Sequence, residues 1–291
     1  MADDALPADL AARVEGLLGS PIEAARRVTR GYTQAERWVV RTTRGDRAFV
    51  KAAVNEQTAT WLSTERRMYE QLRADVLPRC LGGDGGERPV LLLEDLSDAH
   101  WPPPWGPDRV AALTKALADL HLAPVPDGLP SAEAERDRLD GWPRVAADPA
   151  PFLALGVVSE TWLSRALPTL REASRAAVLE GDAPLHFDVR SDNVAFAGGR
   201  TLLVDWNWTC RGNPSMDLAC WLPSLHVEGG PPPHEVWTVG PEIPALVAGY
   251  FASVAGLPPP FPGSTVRGLQ RAQLGAALPW AARALGLPPP D

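Results

Sequence analysis

Lysine is almost absent from this sequence, because Lys51 and Lys115 are the only lysines among its 28 basic residues. Cysteine is scarce as well: the chain has 3, widely spaced and without a CxxC motif. This pattern argues against a disulfide framework and predicts reduced thiols in a cytoplasmic protein. The first ten residues are acidic where a signal peptide would be basic, and no apolar run of about 18 residues follows. We therefore expect no contact with a membrane.

The charge balance also limits the partners. The formal net charge is −8 over 291 residues, which disfavours nucleic acid and would attract a cationic molecule. An apolar content of 45% is ordinary for a globular protein of this length. We expect a monomer or homodimer with enough chain for one large domain or two lobes.

The first hundred residues have patterns typical of a small β-rich lobe. Two runs rich in β-branched residues, 38–43 and 48–52, are joined by Arg44-Gly-Asp46, which is favourable chemistry for a hairpin turn. The other predicted elements here are a helix up to about residue 20, a helix over 56–74, a chain break at Gly82–Gly86 and an apolar strand over 90–93.

Helical periodicity dominates from about residue 108 onward, with one strand-like interruption. There, Gly198-Gly199 separates the apolar runs 193–197 and 200–205, which predicts a second hairpin. The sequence as a whole predicts an α+β fold of two lobes: a small β-rich lobe over 1–95 and a larger, mainly helical lobe over 96–291.

The second hairpin brings polar side chains together. If the two glycines form the turn, Ala197 pairs with Arg200, and Asn193 and Asp205 lie side by side at the open end. Asp188 lies five residues before Asn193, in the loop that enters the hairpin. An oxygen-rich, incomplete cage of this kind suits Mg²⁺. Any one of these residues alone could equally cap a turn.

The spacing His-x-Asp-x-x-x-x-Asn, followed by an aspartate after an apolar strand, matches the phosphoryl-transfer template. In that template Asp188 orients the acceptor hydroxyl and accepts its proton, while Asn193 and Asp205 hold Mg²⁺ on the nucleotide phosphates. We interpret His186 as a scaffold residue of this loop rather than a base.

A cation for the nucleotide phosphates is also expected, steered by a carboxylate on the next helix. Lys51 lies in the second arm of the first hairpin. Glu65 interrupts the apolar stripe of the following helix, where a carboxylate is costly unless it is paired. We predict that the two pair; the alternative is a solvated lysine and an outward-facing glutamate.

Further nucleotide contacts are predicted in two segments. The loop 30–35 would cover the phosphates through Gly31 and Thr33, although one glycine makes a weak phosphate loop. Glu94 and Leu96 follow the apolar strand where adenine would meet the backbone. Glu94 fits a solvated linker charge equally well.

Together these motifs resemble the aminoglycoside phosphotransferase family, within the protein-kinase-like group that includes choline and homoserine kinases. The matching segments are 49–51, Glu65, 91–96, 117–121, 186–193, 204–206 and 212–219. The resemblance implies a bilobal protein-kinase-like fold, a first lobe that binds nucleotide, ATP or GTP as donor, Mg²⁺ and a hydroxyl acceptor. It also implies a structural role for Asp217. The chain departs from the family where Phe187 replaces a frequent glycine and where Arg190-Ser191 replaces histidine and proline.

The predicted function is ATP-dependent transfer of the γ-phosphoryl group to a hydroxyl of a small molecule. The acceptor could be an antibiotic, either aminoglycoside-like or another cationic natural product, because the chain is acidic. Such an acceptor would imply a role in antibiotic resistance. The alternatives are a metabolite kinase for an amino alcohol, sugar or nucleoside, a non-catalytic pseudokinase, and a metal-dependent hydrolase, which would leave Lys51 and Glu65 unexplained. A protein kinase is disfavoured because only eleven residues, 206–216, separate Asp205 from Asp217. The candidate acidic residues for the acceptor site are Asp127, Glu133, Asp137, Asp140, Glu228, Glu235 and Glu242.

Overall fold

The computed structural model describes residues 5–29 and 34–290. In chain order, its first elements are α1 (Ala8–Leu18), β1 (Ile22–Arg27), β2 (Glu36–Thr42), β3 (Arg47–Ala52), α2 (Glu56–Gln71), β4 (Cys80–Asp84) and β5 (Val90–Glu94). Those that follow are α3 (Pro107–His121), α4 (Arg136–Leu139), α5 (Trp142–Ala147), α6 (Ala150–Leu153), α7 (Glu160–Ala176), β6 (Ala183–Leu185), β7 (Val194–Ala197), β8 (Arg200–Leu203), β9 (Cys210–Gly212), α8 (Ser215–Val227), α9 (Pro233–Val236), α10 (Glu242–Val254) and α11 (Val266–Ala284).

Two compact units make up the chain. The first consists of Met1–Pro102 together with Asp192–Thr209, and the second of Pro103–Ser191 together with Cys210–Asp291. The predicted lobes 1–95 and 96–291 were assigned by the functions expected of them, and this division stays a prediction.

A five-stranded antiparallel sheet in the order β1-β2-β3-β5-β4 forms the first unit. Trp38, Val40 and Val50 alternate along β2 and β3 and pack on Leu10 and Val14 of α1. Residues on the other face of β3 and β5, including Lys51, Leu91 and Leu93, are buried as well. The predicted strands 38–43, 48–52 and 90–93 are confirmed as β2, β3 and β5, and the predicted helices as α1 and α2.

The sequence reading missed the two edge strands. Strand β1, with the sequence IEAARR, is exposed after its first residue and so carries no apolar alternation. The predicted break at Gly82–Gly86 is wrong for its first part, because Cys80–Asp84 forms β4. A side chain at Gly83 would lie 2.8 Å from the carbonyl oxygen of Val90. The glycine therefore permits a close backbone approach within the sheet.

The second predicted hairpin is confirmed as β7 and β8, and it belongs to the first unit. Gly198 and Gly199 have φ values of 57° and 76°, which non-glycine residues rarely adopt and which suit a two-residue turn. The amide of Leu203 donates to the carbonyl of Val76 at 2.7 Å, which ties the hairpin to the chain after α2.

Helices form most of the second unit, as predicted, and β6 and β9 pair into a short ribbon. Helix α10 packs against α5, α7 and α11 and is buried along most of its length. Trp142 of α5 anchors this packing by donating from Nε1 to the carbonyl of Ala245 at 2.8 Å. The α+β fold with a β-rich first part and a helical second part is confirmed. Across 5–29 and 34–290, the chain contains no helix with the length and apolar character needed to cross a membrane.

Candidate active site

A buried lysine and two carboxylates form the centre of the first unit. Lys51 Nζ donates to both oxygens of Glu65, at 2.8 and 2.6 Å, and to Asp205 Oδ1 at 3.0 Å. Lys51 is 5% exposed and Glu65 is 1% exposed. The structure therefore brings together three residues that sequence reasoning placed in one site, and it forms the predicted Lys51–Glu65 pair.

Local sequence fixes where these groups lie. Lys51 is on the central strand β3, which leaves its stem no path to solvent. Helix α2 begins at a capping box in which Asn55 and Thr58 satisfy each other's backbone amides. This cap fixes the start of the helix, so the inward-facing stripe of Leu62, Glu65 and Met68 is set by helical spacing alone.

Two carboxylates for one ammonium make this cluster hold protons tightly. Burial alone would lower the pKa of Lys51, but Asp205 and Glu65 outweigh it and raise that pKa. Burial, together with the charge of Asp205, raises the pKa of Glu65 despite the opposing effect of Lys51. Both shifts favour the protonated forms, but their causes differ: the two carboxylates raise the pKa of Lys51, whereas burial is the first cause of the raised pKa of Glu65 and the charge of Asp205 adds to it.

Asp205 follows the second hairpin directly. As predicted, the hairpin register places Asn193 beside it, with the amide of Val204 donating to the carbonyl of Asn193 at 3.0 Å. Asp205 has a left-handed φ of 67°, a conformation that aspartate tolerates better than most residues. Its amide lies 3.3 Å from Glu65 Oε1, and Asn207 Nδ2 donates to its Oδ1 at 2.6 Å.

The chemistry of Asn193 and Asp205 fits a divalent cation. Asn193 ends a short 3₁₀ turn and is 3% exposed, while the Asp205 side chain is 21% exposed. Amide and carboxylate oxygens are the hard donors that Mg²⁺ prefers, and Mg²⁺ commonly uses one or two protein oxygens with phosphates and water. These two residues are therefore those that would hold the ion in this unit.

Asp217 braces the predicted catalytic loop, which carries Asp188 in the second unit. Its fully buried carboxylate accepts hydrogen bonds from the amides of His186, at 3.0 Å, and Phe187, at 2.7 Å. Nε2 of His121, at the end of α3, lies 2.9 Å from the same carboxylate. One buried carboxylate thus fixes two backbone amides of the loop, in keeping with the structural role that the resemblance implies for Asp217.

Phe187 has a left-handed φ of 62°. This conformation costs a residue with a bulky side chain about 1–2 kcal/mol relative to glycine. Glycine, the residue that the resemblance leads one to expect at this position, adopts this φ without strain. The side chain of Phe187 is 8% exposed, so its burial offsets part of the cost.

Asp188 lies directly after this strained residue. Its amide is 3.3 Å from His186 Nδ1, which is consistent with a scaffold role for the histidine. Arg190 Nη2 lies 3.3 Å from Asp188 Oδ2, with both side chains partly buried. The sequence did not predict this ion pair, because it depends on how the loop turns.

Among the candidate acceptor residues, Glu228 touches the catalytic loop. It accepts hydrogen bonds from Ser191 Oγ and, at 2.7 Å, from Trp105 Nε1. Others serve local contacts: Glu133 pairs with Arg136, and Asp140 accepts from a serine of α7. Of these three carboxylates, Glu228 is the one that links the catalytic loop to α8, whose last residue it follows.

The remaining predicted nucleotide contacts lie elsewhere in the first unit. Both carboxylate oxygens of Glu94 are taken by Arg79 and Arg200, so this side chain ties the sheet to the second hairpin. The carbonyl of Leu96 accepts from the amide of Ala99 at 3.0 Å and from the Trp101 indole at 3.1 Å. Roles for Glu94 and Leu96 in nucleotide binding stay predictions. Gly31 and Thr33 lie outside the described residues.

Comparison with known proteins decides the family. The model of the phosphotransferase enzyme family APH matches residues 24–257 of the chain. The chain belongs to this family. The predicted class, a small-molecule kinase that transfers a phosphoryl group to a hydroxyl, is thereby confirmed. No curated protein matches the chain.

Solved structures share the fold at low identity. A spectinomycin phosphotransferase in complex with ADP and spectinomycin is similar with a TM-score of 0.64 and 14% identity, over 98% of this chain and 99% of that one. A candidate fructosamine-3-kinase from Thermobifida fusca is similar with a TM-score of 0.56 and 19% identity, over 92% of this chain and 98% of that one. A choline/ethanolamine kinase family protein from Mesorhizobium loti is similar with a TM-score of 0.55 and 19% identity, over 88% of this chain and 92% of that one. The protein-kinase-like fold predicted above is confirmed.

Proposed function

We propose that this phosphotransferase moves the γ-phosphoryl group of ATP, or of GTP, to a hydroxyl of a small molecule in the presence of Mg²⁺. One observation carries the proposal: Lys51 is buried between Glu65 and Asp205, with bonds of 2.6–3.0 Å. A buried cation on a central strand, oriented by a helix carboxylate, is the arrangement that phosphoryl transfer requires. The complexes of relatives with ADP and with AMP-PNP support a nucleotide as donor.

The cluster would act on the donor. Lys51 binds the α- and β-phosphates, and Glu65 fixes the position of its ammonium group. Asn193 and Asp205 would hold Mg²⁺, which supplies positive charge to the phosphate oxygens as the γ-phosphoryl group departs. That charge also offsets the excess of carboxylates in the cluster.

Asp188 acts on the acceptor. As the acceptor oxygen forms its bond to the γ-phosphorus, the bond from that phosphorus to the bridging oxygen breaks and the nucleoside diphosphate leaves. Asp188 takes the proton that the hydroxyl loses. Asp217 and His186 hold the loop that carries it, and Arg190 orients its carboxylate from one side.

The acceptor class follows from charge and from the relatives. The net charge of −8 and the similarity to a spectinomycin phosphotransferase support a cationic natural product, including an antibiotic. The similarities to fructosamine and choline/ethanolamine kinases support the second candidate, a metabolite kinase for a sugar or amino alcohol.

A screen of acceptors tests the proposal. Purified protein is incubated with ATP and Mg²⁺ and with aminoglycosides, spectinomycin, peptide antibiotics, nucleosides, sugars and amino alcohols, and the phosphorylated products are identified by mass spectrometry. Lys51→Met and Asp188→Asn serve as inactive controls. A product formed by the wild type and by neither variant supports the mechanism. Nucleotide binding without turnover on any acceptor would favour a pseudokinase, and phosphate release without transfer would favour a hydrolase.

A further inference from the structure

A second buried cation lies next to Lys51. Arg37 of β2 is the direct antiparallel partner of Lys51 in β3, so the two side chains project from the same face of the sheet. Arg37 is 9% exposed, so its charge lies inside the protein beside that of Lys51.

Arg37 and the lysine cluster share one cavity. Its lining includes Arg37, Lys51, Glu65, Asp205 and Asn207. Two cations and two carboxylates therefore surround the space in which the donor phosphates are proposed to bind.

The guanidinium of Arg37 brings chemistry that Lys51 lacks. Its Nη1 donates to the carbonyl of Ala35 at 3.2 Å, which anchors the group at the start of β2. An arginine offers five donors in a planar fork that matches two phosphate oxygens at once, whereas lysine acts as a point charge. The loop before β2 contains a single glycine, Gly31, so its sequence is a weak phosphate cradle that a cation would strengthen.

We propose that Arg37 binds the nucleotide phosphates directly, as a second cation beside Lys51. This inference rests on the proposed function, because it requires the cavity to receive a nucleotide. Arg37 would contribute to affinity for the polyphosphate and not to recognition of the base.

The test compares ligands that differ in phosphate. Binding of ATP, ADP and adenosine in the presence of Mg²⁺ is measured by calorimetry for the wild type and for Arg37→Gln. The expected result is a loss of about 10- to 100-fold in ATP affinity, with adenosine affinity unchanged. Arg37→Lys keeps the positive charge but lacks the planar guanidinium, so it should bind ATP more tightly than Arg37→Gln and less tightly than the wild type.

Arg41→Gln is the matched control. Arg41 lies on the same strand and the same face, but its side chain is 54% exposed and pairs with Glu23 at 3.5 Å. This variant should bind ATP like the wild type. If Arg37→Gln does not fold by circular dichroism, Arg37→Lys alone decides, since a direct phosphate contact still predicts weaker ATP binding and unchanged adenosine binding.

The outcomes separate this inference from the proposed function. If Lys51→Met loses ATP affinity while Arg37→Gln keeps it, the role of Arg37 is wrong and the kinase proposal stands. Equal losses for ATP and adenosine would also overturn the inference, because they indicate a structural role. If the wild type binds ATP no better than adenosine, both proposals fail.

Discussion

Single residues in this protein act through the charges that surround them. Two carboxylate partners raise the pKa of Lys51, and burial together with the charge of Asp205 raises that of Glu65. The cluster is therefore most stable with one more positive charge than its own residues provide. That deficit is the physical reason to expect tight coupling between metal and nucleotide in the first unit.

The base assignment gives a prediction for Asp188. Asp188→Asn keeps the shape of the side chain and removes its proton affinity, so kcat should fall by about 10²–10⁴-fold. The Kd for ATP should stay within about twofold of the wild type, because the base acts in the transition state. Steady-state kinetics and calorimetry measure the two quantities.

Asp182→Asn is the control for this substitution, since the Asp182 side chain is 92% exposed and lies outside the catalytic loop. It should leave kcat unchanged. A loss of less than about tenfold for Asp188→Asn would mean that another group accepts the proton.

Among secondary-structure elements, Glu94 at the end of β5 joins the sheet to the second hairpin. Burial alone would raise the pKa of Glu94, but hydrogen bonds from Arg79 and Arg200 outweigh burial and lower it. A lowered pKa in the folded state gives stability that is present above the unfolded value of about 4.5 and is lost as the pH falls through the folded value.

Glu94→Gln should therefore destabilise the protein at neutral pH by roughly 1.5–3 kcal/mol, the range for hydrogen bonds to a charged group. The difference from the wild type should shrink as the pH falls below about 4.5, because the carboxylate of the unfolded chain takes up a proton before that of the folded protein does. Urea unfolding at several pH values measures it, with Glu87→Gln as an exposed control. A difference that grows in acid would contradict the assignment.

Helix packing in the second unit gives a paired prediction on two helical glycines. A Cβ at Gly249 of α10 would lie 2.6 Å from Cδ1 of Trp142, whereas one at Gly275 of α11 would meet nothing within 4 Å. Gly249→Ala should cost about 1–3 kcal/mol through overpacking. Gly275→Ala should gain up to about 1 kcal/mol from helix propensity. Thermal unfolding of both variants tests the contrast, which disappears if Trp142 can move aside.

These elements also show what the sequence could and could not predict. Hairpins and helix faces depend on local spacing, so the ribbon carrying Asn193 and Asp205 and the Lys51–Glu65 pair could be derived. The ion pair of Arg190 with Asp188 could not, because it depends on tertiary turns of one loop. Arg37 was missed although a signal existed: extending the first hairpin register outward from its turn places residue 37 opposite Lys51.

For the whole molecule, ligand binding should appear as stability. With ATP at about 100 times its Kd, the free energy of unfolding should rise by about 2.7 kcal/mol. Adding EDTA should remove most of this gain if Asn193 and Asp205 hold Mg²⁺ on the nucleotide. Differential scanning calorimetry with and without the chelator measures it. A gain that EDTA does not change would contradict the proposed metal role.

The first unit is built from two separate segments of the sequence, and this has a consequence for its synthesis on the ribosome. Its hairpin is encoded between residues 192 and 209, and Asp205 lies 154 positions after Lys51. On the ribosome, residues up to 102, with all five strands of the sheet, emerge long before the hairpin that completes the first unit has been translated. At about 5–20 residues per second, the intervening 107 residues (209 − 102) take about 5–20 s. The nascent chain must therefore carry its five-stranded sheet without the second hairpin, and Lys51 without its second carboxylate partner, until most of the protein has been translated.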